Sequence, residues 1–134
     1  MRTARALWRL LRAAVHLLHG TLICASTFRR LSFADQQRLV QWWSARMLDT
    51  LGIALHSEGT PRIGSTLVVA NHISWLDILA INAVQPSRFV SKADVRHWPV
   101  IGWLVASAGT LFIERERKRD ALRVVEQVAE ALTL

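Results

Sequence analysis

The spacing of the basic residues near the start of the chain is the strongest restriction on its local structure. Consecutive members of this set lie 3, 4, 3, 4 and 3 residues apart: Arg2, Arg5, Arg9, Arg12, His16 and His19. At 3.6 residues per turn, this spacing keeps their side chains within an arc of about 100°. Residues 4–28 contain no proline and a single glycine, Gly20. The spacing therefore predicts an amphipathic helix over residues 4–28.

The charges of this helix favour a position on a membrane surface. A secretory signal places its charges ahead of an uninterrupted apolar core, whereas here they continue into the apolar stretch. A spanning helix needs about 20 apolar residues without charges. We therefore expect an in-plane helix whose basic stripe faces lipid phosphates. An ordinary helix packed on the domain is the alternative.

Composition narrows the choice of partners. The net charge of +7 favours an anionic partner. Nucleic acid is disfavoured, because the sequence has no nucleic-acid-binding motif and its basic residues do not alternate with aromatic residues on a predicted strand. The single cysteine, Cys24, excludes an intrachain disulfide and is typical of a reducing cytoplasm.

A second helix is predicted from its two ends. Ser32 is a suitable N-cap with Asp35 three residues later, and Gly52 stands where a C-terminal cap belongs. Trp42 and Trp43 lie within this helix, where they would serve either as headgroup anchors or as core residues.

Beyond residue 52 the sequence alternates between short strands and helices. The predicted strands are Ile53 to His56, Thr66 to Ala70, Arg88 to Ser91 and Thr110 to Ile113. The predicted helices run from the cap at Ser74 to Val84 and from Arg117 to Leu132, and Pro99 opens a short stretch through Ser107 that is either helical or irregular. This order predicts an α/β fold with a largely parallel sheet. We divide the chain into membrane-associating helices over 1–52 and the first part of an α/β domain over 53–134.

A histidine and an aspartate follow the predicted strand at Thr66 to Ala70. His72 lies two residues beyond the strand, and Asp77 falls in the first turn of the next helix. In α/β sheets, ligands bind beyond the carboxyl ends of strands. A carboxylate on one imidazole nitrogen fixes the tautomer and leaves the other nitrogen free to accept a proton. A structural hydrogen bond is the alternative interpretation of this pair.

No enzyme nucleophile accompanies the pair. A hydrolase of this kind would present serine on a Gly-x-Ser-x-Gly turn, which the sequence lacks. Ser74 is adjacent but is better explained as a helix cap. We therefore expect a substrate hydroxyl to be the nucleophile, deprotonated by His72. No metal site is predicted.

Three ordered blocks resemble the glycerolipid acyltransferases, the family of 1-acylglycerol-3-phosphate acyltransferases. "NHISWLD" resembles the family's His-x4-Asp motif, "FVSKADVRHWPVIGWL" the segment that follows it, and "GTLFIERERKRDA" its second block. The resemblance covers residues 66–120, whereas the N-terminal helices fit it only as a membrane-associating region.

The resemblance implies roles for individual residues. His72 would be the general base and Asp77 its orienting partner, while Asn71 would hold the turn before His72 and Ser74 would support the pair as the cap of the helix. Arg115 would bind the acceptor's phosphate, with Lys92 as a second candidate and Glu114 orienting Arg115. The acceptor would be a lysophospholipid, first of all 1-acyl-glycerol-3-phosphate, with lyso-ornithine lipid as an alternative. The donor would be acyl-CoA or acyl-carrier protein, with no further cofactor.

The resemblance also implies a location and an incomplete domain. We expect a peripheral or monotopic protein on the cytoplasmic face of a bacterial inner membrane. The family's third block, Phe-Pro-Glu-Gly-Thr, does not follow the last predicted helix. We therefore expect a truncated domain, for which a catalytically incomplete membrane-binding fragment is the alternative function.

Overall fold

A computed structural model of the chain describes residues 2–62, 64–113, 125–126 and 129–130. Contacts between residues divide the chain into two compact units. The first combines Met1–Gly59 with His72–Ser87, and the second combines Thr60–Asn71 with Arg88–Leu134. The architecture is α/β, as the sequence predicts, with four α-helices and a small parallel sheet in the described part.

The first unit contains three helices: α1 (Arg2–Ser26), α2 (Phe33–Leu51) and α3 (Trp75–Val84). A short 3₁₀ helix, Phe28–Arg30, connects α1 to α2. The predicted caps of α2 are confirmed. The Ser32 hydroxyl accepts the N–H of Asp35, and Gly52 takes a left-handed conformation at φ 76°. Glycine suits this position because other residues lose energy at positive φ.

The core of this unit lies where α2 meets α3. Its buried centre is Met47, Leu48 and Leu79, against which side chains of α1 also pack, among them Ala13 and Leu17. The C-terminal end of α3 is tied to α2, because the Gln41 amide donates to the carbonyls of Ala83 at 3.2 Å and Val84 at 3.0 Å. These contacts hold α3, and with it the residues at its N-terminus, in a fixed position on α2.

The second unit contains β1 (Val90–Lys92), α4 (Ile101–Ser107) and β2 (Leu111–Ile113). The two strands are parallel, with Val90 opposite Leu111 and Lys92 opposite Ile113. A 3₁₀ helix, Ala93–His97, precedes α4. This strand–helix–strand order confirms the crossover predicted from the sequence, with β1 starting two residues later than expected.

Two predicted strands are wrong. Ile53 to His56 and Thr66 to Ala70 adopt no regular structure. The second segment is also not buried, since the Val69 side chain is 88% exposed. A strand is stable only when its backbone groups pair with a neighbour, and neither segment pairs with another strand in the described part of the chain. The predicted helix over Arg117 to Leu132 lies almost entirely outside the described residues.

Among the residues that the structure describes, no helix has both the length and the apolar character that a crossing of the bilayer requires.

Candidate active site

The N-terminus of α3 positions the candidate site. Ser74 caps the helix, and its hydroxyl accepts the N–H of Leu76 at 3.1 Å. In return, Asp77 Oδ2 accepts the backbone N–H of Ser74 at 2.8 Å. This reciprocal arrangement is a capping box, which satisfies N–H groups that a helix start would otherwise leave unpaired. The local sequence Ser-x-x-Asp therefore fixes the direction of the Asp77 carboxylate.

The same carboxylate oxygen contacts the histidine. His72 Nδ1 lies 3.3 Å from Asp77 Oδ2, which also accepts the Ile73 N–H at 2.9 Å. Because Asp77 is held by the helix, its position constrains the His72 ring. Within the described part of the chain, His72 Nε2 has no hydrogen-bond partner, and about half of the side chain is exposed. A proton-accepting nitrogen is thus accessible while the other is held by a carboxylate.

Electrostatics keep Asp77 ionised. The pKa of its carboxyl lies below the ordinary value, first because of the N–H groups of Ser74 and Ile73, and then through His72. Loss of hydration acts in the opposite direction but is outweighed. Hydrogen bonds to the charged form of an acid favour that form. An anionic Asp77 would stabilise the imidazolium that forms when His72 accepts a proton.

The structure brings His72, Ser74 and Asp77 together. Asn71 directly precedes His72 and is exposed. Lys92 lies in the second unit, where it is exposed at the end of β1. Glu114 and Arg115 lie outside the described residues.

The sequence interpretation missed the Ile73 N–H as a third contact of Asp77 Oδ2. The loop that places this amide has no residue pattern of its own, although Ile73 directly precedes the predicted cap. Within 2–62, 64–113 and the two short described segments that follow, no group of three or more His, Cys, Asp or Glu side chains would hold a metal ion.

Comparison with known proteins assigns the chain to a family. The family model described as Acyltransferase matches residues 52–134, which include α3 and the His72–Asp77 pair. The chain belongs to the acyltransferase family. It is 41% identical to a lyso-ornithine lipid O-acyltransferase from Pseudomonas aeruginosa, over 84% of this chain and 45% of that protein. It is 40% identical to a 1-acyl-sn-glycerol-3-phosphate acyltransferase from Neisseria gonorrhoeae, over 61% of this chain and 32% of that protein.

The acyltransferase chain thus spans less than half the length of the two relatives. No solved structure matches it.

Proposed function

We propose that this acyltransferase chain carries the general base of a lysolipid O-acyltransferase. The reaction moves a fatty acyl group from acyl-CoA or acyl-carrier protein to the free hydroxyl of a lysolipid. The observation that supports this proposal best is the 3.3 Å contact between His72 and Asp77 at the start of α3. It supplies an oriented base, and the family match supplies the reaction class.

The proposed mechanism uses one base and no covalent enzyme intermediate. His72 Nε2 removes the proton of the acceptor hydroxyl as the oxygen attacks the thioester carbonyl. The resulting tetrahedral intermediate collapses, the C–S bond breaks, and the leaving thiolate takes the proton from His72. Asp77 keeps Nδ1 protonated throughout and stabilises the transient imidazolium.

The first candidate acceptor is 1-acyl-glycerol-3-phosphate, which would give phosphatidic acid. Its phosphate would pair with Arg115 and Lys92, because arginine binds phosphate through two parallel hydrogen bonds and lysine acts as a point charge. In the proposed complex, Glu114 orients Arg115, and Asn71 supports the turn before His72.

Lyso-ornithine lipid is the second candidate acceptor, and the longer match to a lyso-ornithine lipid O-acyltransferase is the reason for including it. A match over 84% of the 134 residues omits at most about 21 of them, so it must include α2. The Neisseria match, over 61% of the chain, need not extend into the N-terminal helices. An ornithine headgroup carries a carboxylate, which arginine binds in the same forked geometry as phosphate.

The decisive experiment is an acyl-transfer assay with His72→Ala and a matched control. His56→Ala is that control, because His56 also lies 3.3 Å from a carboxylate, that of Glu58, on an exposed part of the chain. We expect His72→Ala to lower turnover by about 10²-fold or more, and His56→Ala to leave it unchanged. Equal turnover of the two variants would refute His72 as the base.

Both acceptors are assayed with the same protein preparations. The donors are acyl-CoA and acyl-carrier protein, each carrying a labelled acyl chain. The 134-residue chain is compared with a chain carrying whatever further residues its gene encodes. Transfer by neither form, together with binding to vesicles, would favour a catalytically incomplete membrane-binding protein.

We also propose that the chain works at the cytoplasmic face of a bacterial inner membrane, held there peripherally or monotopically by its N-terminal helices. The net charge of +7 supports this location, because the cytoplasmic leaflet of a membrane is negatively charged. Co-flotation with anionic vesicles and release by high salt would test it. Equal flotation with neutral vesicles would contradict an electrostatic contribution.

A further inference from the structure

Two reciprocal hydrogen bonds fix α1 against α2. His16 Nε2 donates to the carbonyl of Trp43 at 3.0 Å, and Trp43 Nε1 donates to the carbonyl of His16 at 3.2 Å. The two rings stack with their centroids 5.0 Å apart. Gly20 lies directly against the same indole ring. The rotation of α1 about its own axis is therefore set by a specific contact.

This rotation leaves an apolar face of α1 uncovered. Its large side chains are all more than half exposed: Leu7, Trp8, Leu10, Leu11, Val15, Leu18 and Leu22. Arg12 and His19 lie beside Trp8 and Val15 on the helix circumference, between this apolar face and the contact with α2. A large uncovered apolar surface next to basic residues is typical of helices that lie in a lipid interface.

An open cleft of about 430 Å³ lies where this basic flank meets α2. Its basic side chains are Arg12 and His19 from α1 and Arg46 from α2. Trp8, Leu11 and Val15 form an apolar wall that continues into the exposed face of α1.

Among the residues that the structure describes, no acidic side chain lines the cleft. Neither Arg12 nor Arg46 forms a hydrogen bond or ion pair through its guanidinium group within the described residues. Two guanidinium groups beside an apolar wall are complementary to an anion that carries a hydrocarbon chain.

We propose that this cleft binds the phosphate headgroup of one membrane phospholipid, with its acyl chain along Trp8, Leu11 and Val15. Arg12 and Arg46 hold the phosphate, and His19 adds a further donor. The inference deepens the membrane association proposed above, since it names a site for an individual lipid. It does not depend on acyl transfer.

The test measures binding of a soluble lipid, dihexanoyl phosphatidylglycerol, which is neither acceptor nor product of the proposed reaction, by calorimetry at about 0.15 M salt, where long-range attraction between exposed charges is largely screened. The double variant Arg12→Gln/Arg46→Gln is compared with Arg29→Gln/Arg30→Gln. The control variant removes the same charge from two exposed arginines outside the cleft. We expect about tenfold weaker binding or more for the cleft variant and a change of less than about twofold for the control.

Further ligands separate a lipid site from a simple anion site. Inorganic phosphate should bind at least about tenfold more weakly than the lipid, because it does not use the apolar wall. Binding to vesicles of phosphatidylcholine containing phosphatidylglycerol should rank the affinities of the variants in the same order as binding of the soluble lipid. The proposal would be overturned if the two glutamine double variants lost equal affinity for the lipid, or if the wild type bound lipid and inorganic phosphate with equal affinity.

Two further variants keep the test interpretable. Arg12→Lys/Arg46→Lys retains the charge but not the forked geometry, so its affinity should fall between those of the wild type and the glutamine variant. Unchanged helical circular dichroism would exclude unfolding. His72→Ala should bind the lipid normally, so failure of the proposed catalysis would be distinguished from failure of this site.

Discussion

Gly20→Ala tests whether α1 packs on α2 as the structure describes. A Cβ atom added at Gly20 would lie 2.5 Å from Trp43 Nε1 and 2.8 Å from Cε2. Ordinary contacts of a Cβ with other heavy atoms begin near 3.4 Å, so the helix or the indole has to move by several tenths of an ångström. Either movement disturbs the Trp43–His16 hydrogen bond of 3.2 Å.

The expected loss of stability follows from opposing contributions. Overpacking costs about 1–3 kcal/mol, and the weakened hydrogen bond contributes about 0.5–1.5 kcal/mol. Alanine in place of glycine within a helix stabilises the folded chain by about 1 kcal/mol. We therefore expect the free energy of unfolding to fall by about 0.5–3.5 kcal/mol, measured by urea denaturation followed by circular dichroism.

Two companion variants isolate the packing contribution. Ala14→Gly changes an exposed position of the same helix and measures the propensity difference alone. Trp43→Phe removes the indole atoms that obstruct a Cβ at Gly20, so in that background Gly20→Ala should be neutral or stabilising. If Gly20→Ala alone stabilised the chain by about 1 kcal/mol, α1 would not pack on α2 at Trp43, and the proposed cleft would lose its basis.

Three predictions concern the caps and the candidate base. Asp77→Asn keeps an oxygen that can accept the N–H groups of Ile73 and Ser74, so helical circular dichroism should persist while acyl transfer falls by about 10²-fold; equal activity would contradict the orienting role. Because the pKa of Asp77 is lowered in the folded chain, its contribution to stability is present above about pH 4 and lost as the pH falls through the folded-state pKa. An acid titration should therefore show a weaker pH dependence in Asp77→Asn. Gly52→Ala should lower the free energy of unfolding by about 1 kcal/mol or more, since φ is 76° and the Arg9 guanidinium covers the position; no change in a urea denaturation curve would exclude that strain.

Helix ends were predictable from the sequence because their signals are local. Ser32, Gly52 and Ser74 each act on backbone groups within a few residues, so short sequence patterns suffice to identify them. The spacing of His72 and Asp77 is local for the same reason. A capping box at Ser74 returns the carboxylate towards the preceding loop, where the histidine lies.

Strands required information that a single segment does not contain. Val90 to Lys92 pairs with Leu111 to Ile113, and both segments were recognised. Thr66 to Ala70 is equally apolar, but has no strand beside it in the described part. Its backbone is therefore not organised by hydrogen bonds to a neighbour. An apolar run indicates that a segment prefers to be buried, but it does not show that a second strand lies beside it.

The cleft between α1 and α2 was not predictable for a similar reason. The spacing of Arg12 and His19 placed them on one side of α1, but Arg46 comes from a second helix. Their meeting depends on the contact between His16 and Trp43, which joins residues 27 positions apart. The periodicity of α1 identified a basic stripe without showing which part of it faces α2.

The capping arrangement makes the position of the Asp77 carboxylate observable without any substrate. The amides of Ile73 and Ser74 donate to the oxygen that contacts His72, so their exchange with deuterated water should be slow only while that carboxylate is in place. Nuclear magnetic resonance of these two amides would thus report whether the Asp77 carboxylate holds the position from which it contacts His72. The readout applies equally to preparations with no measurable turnover.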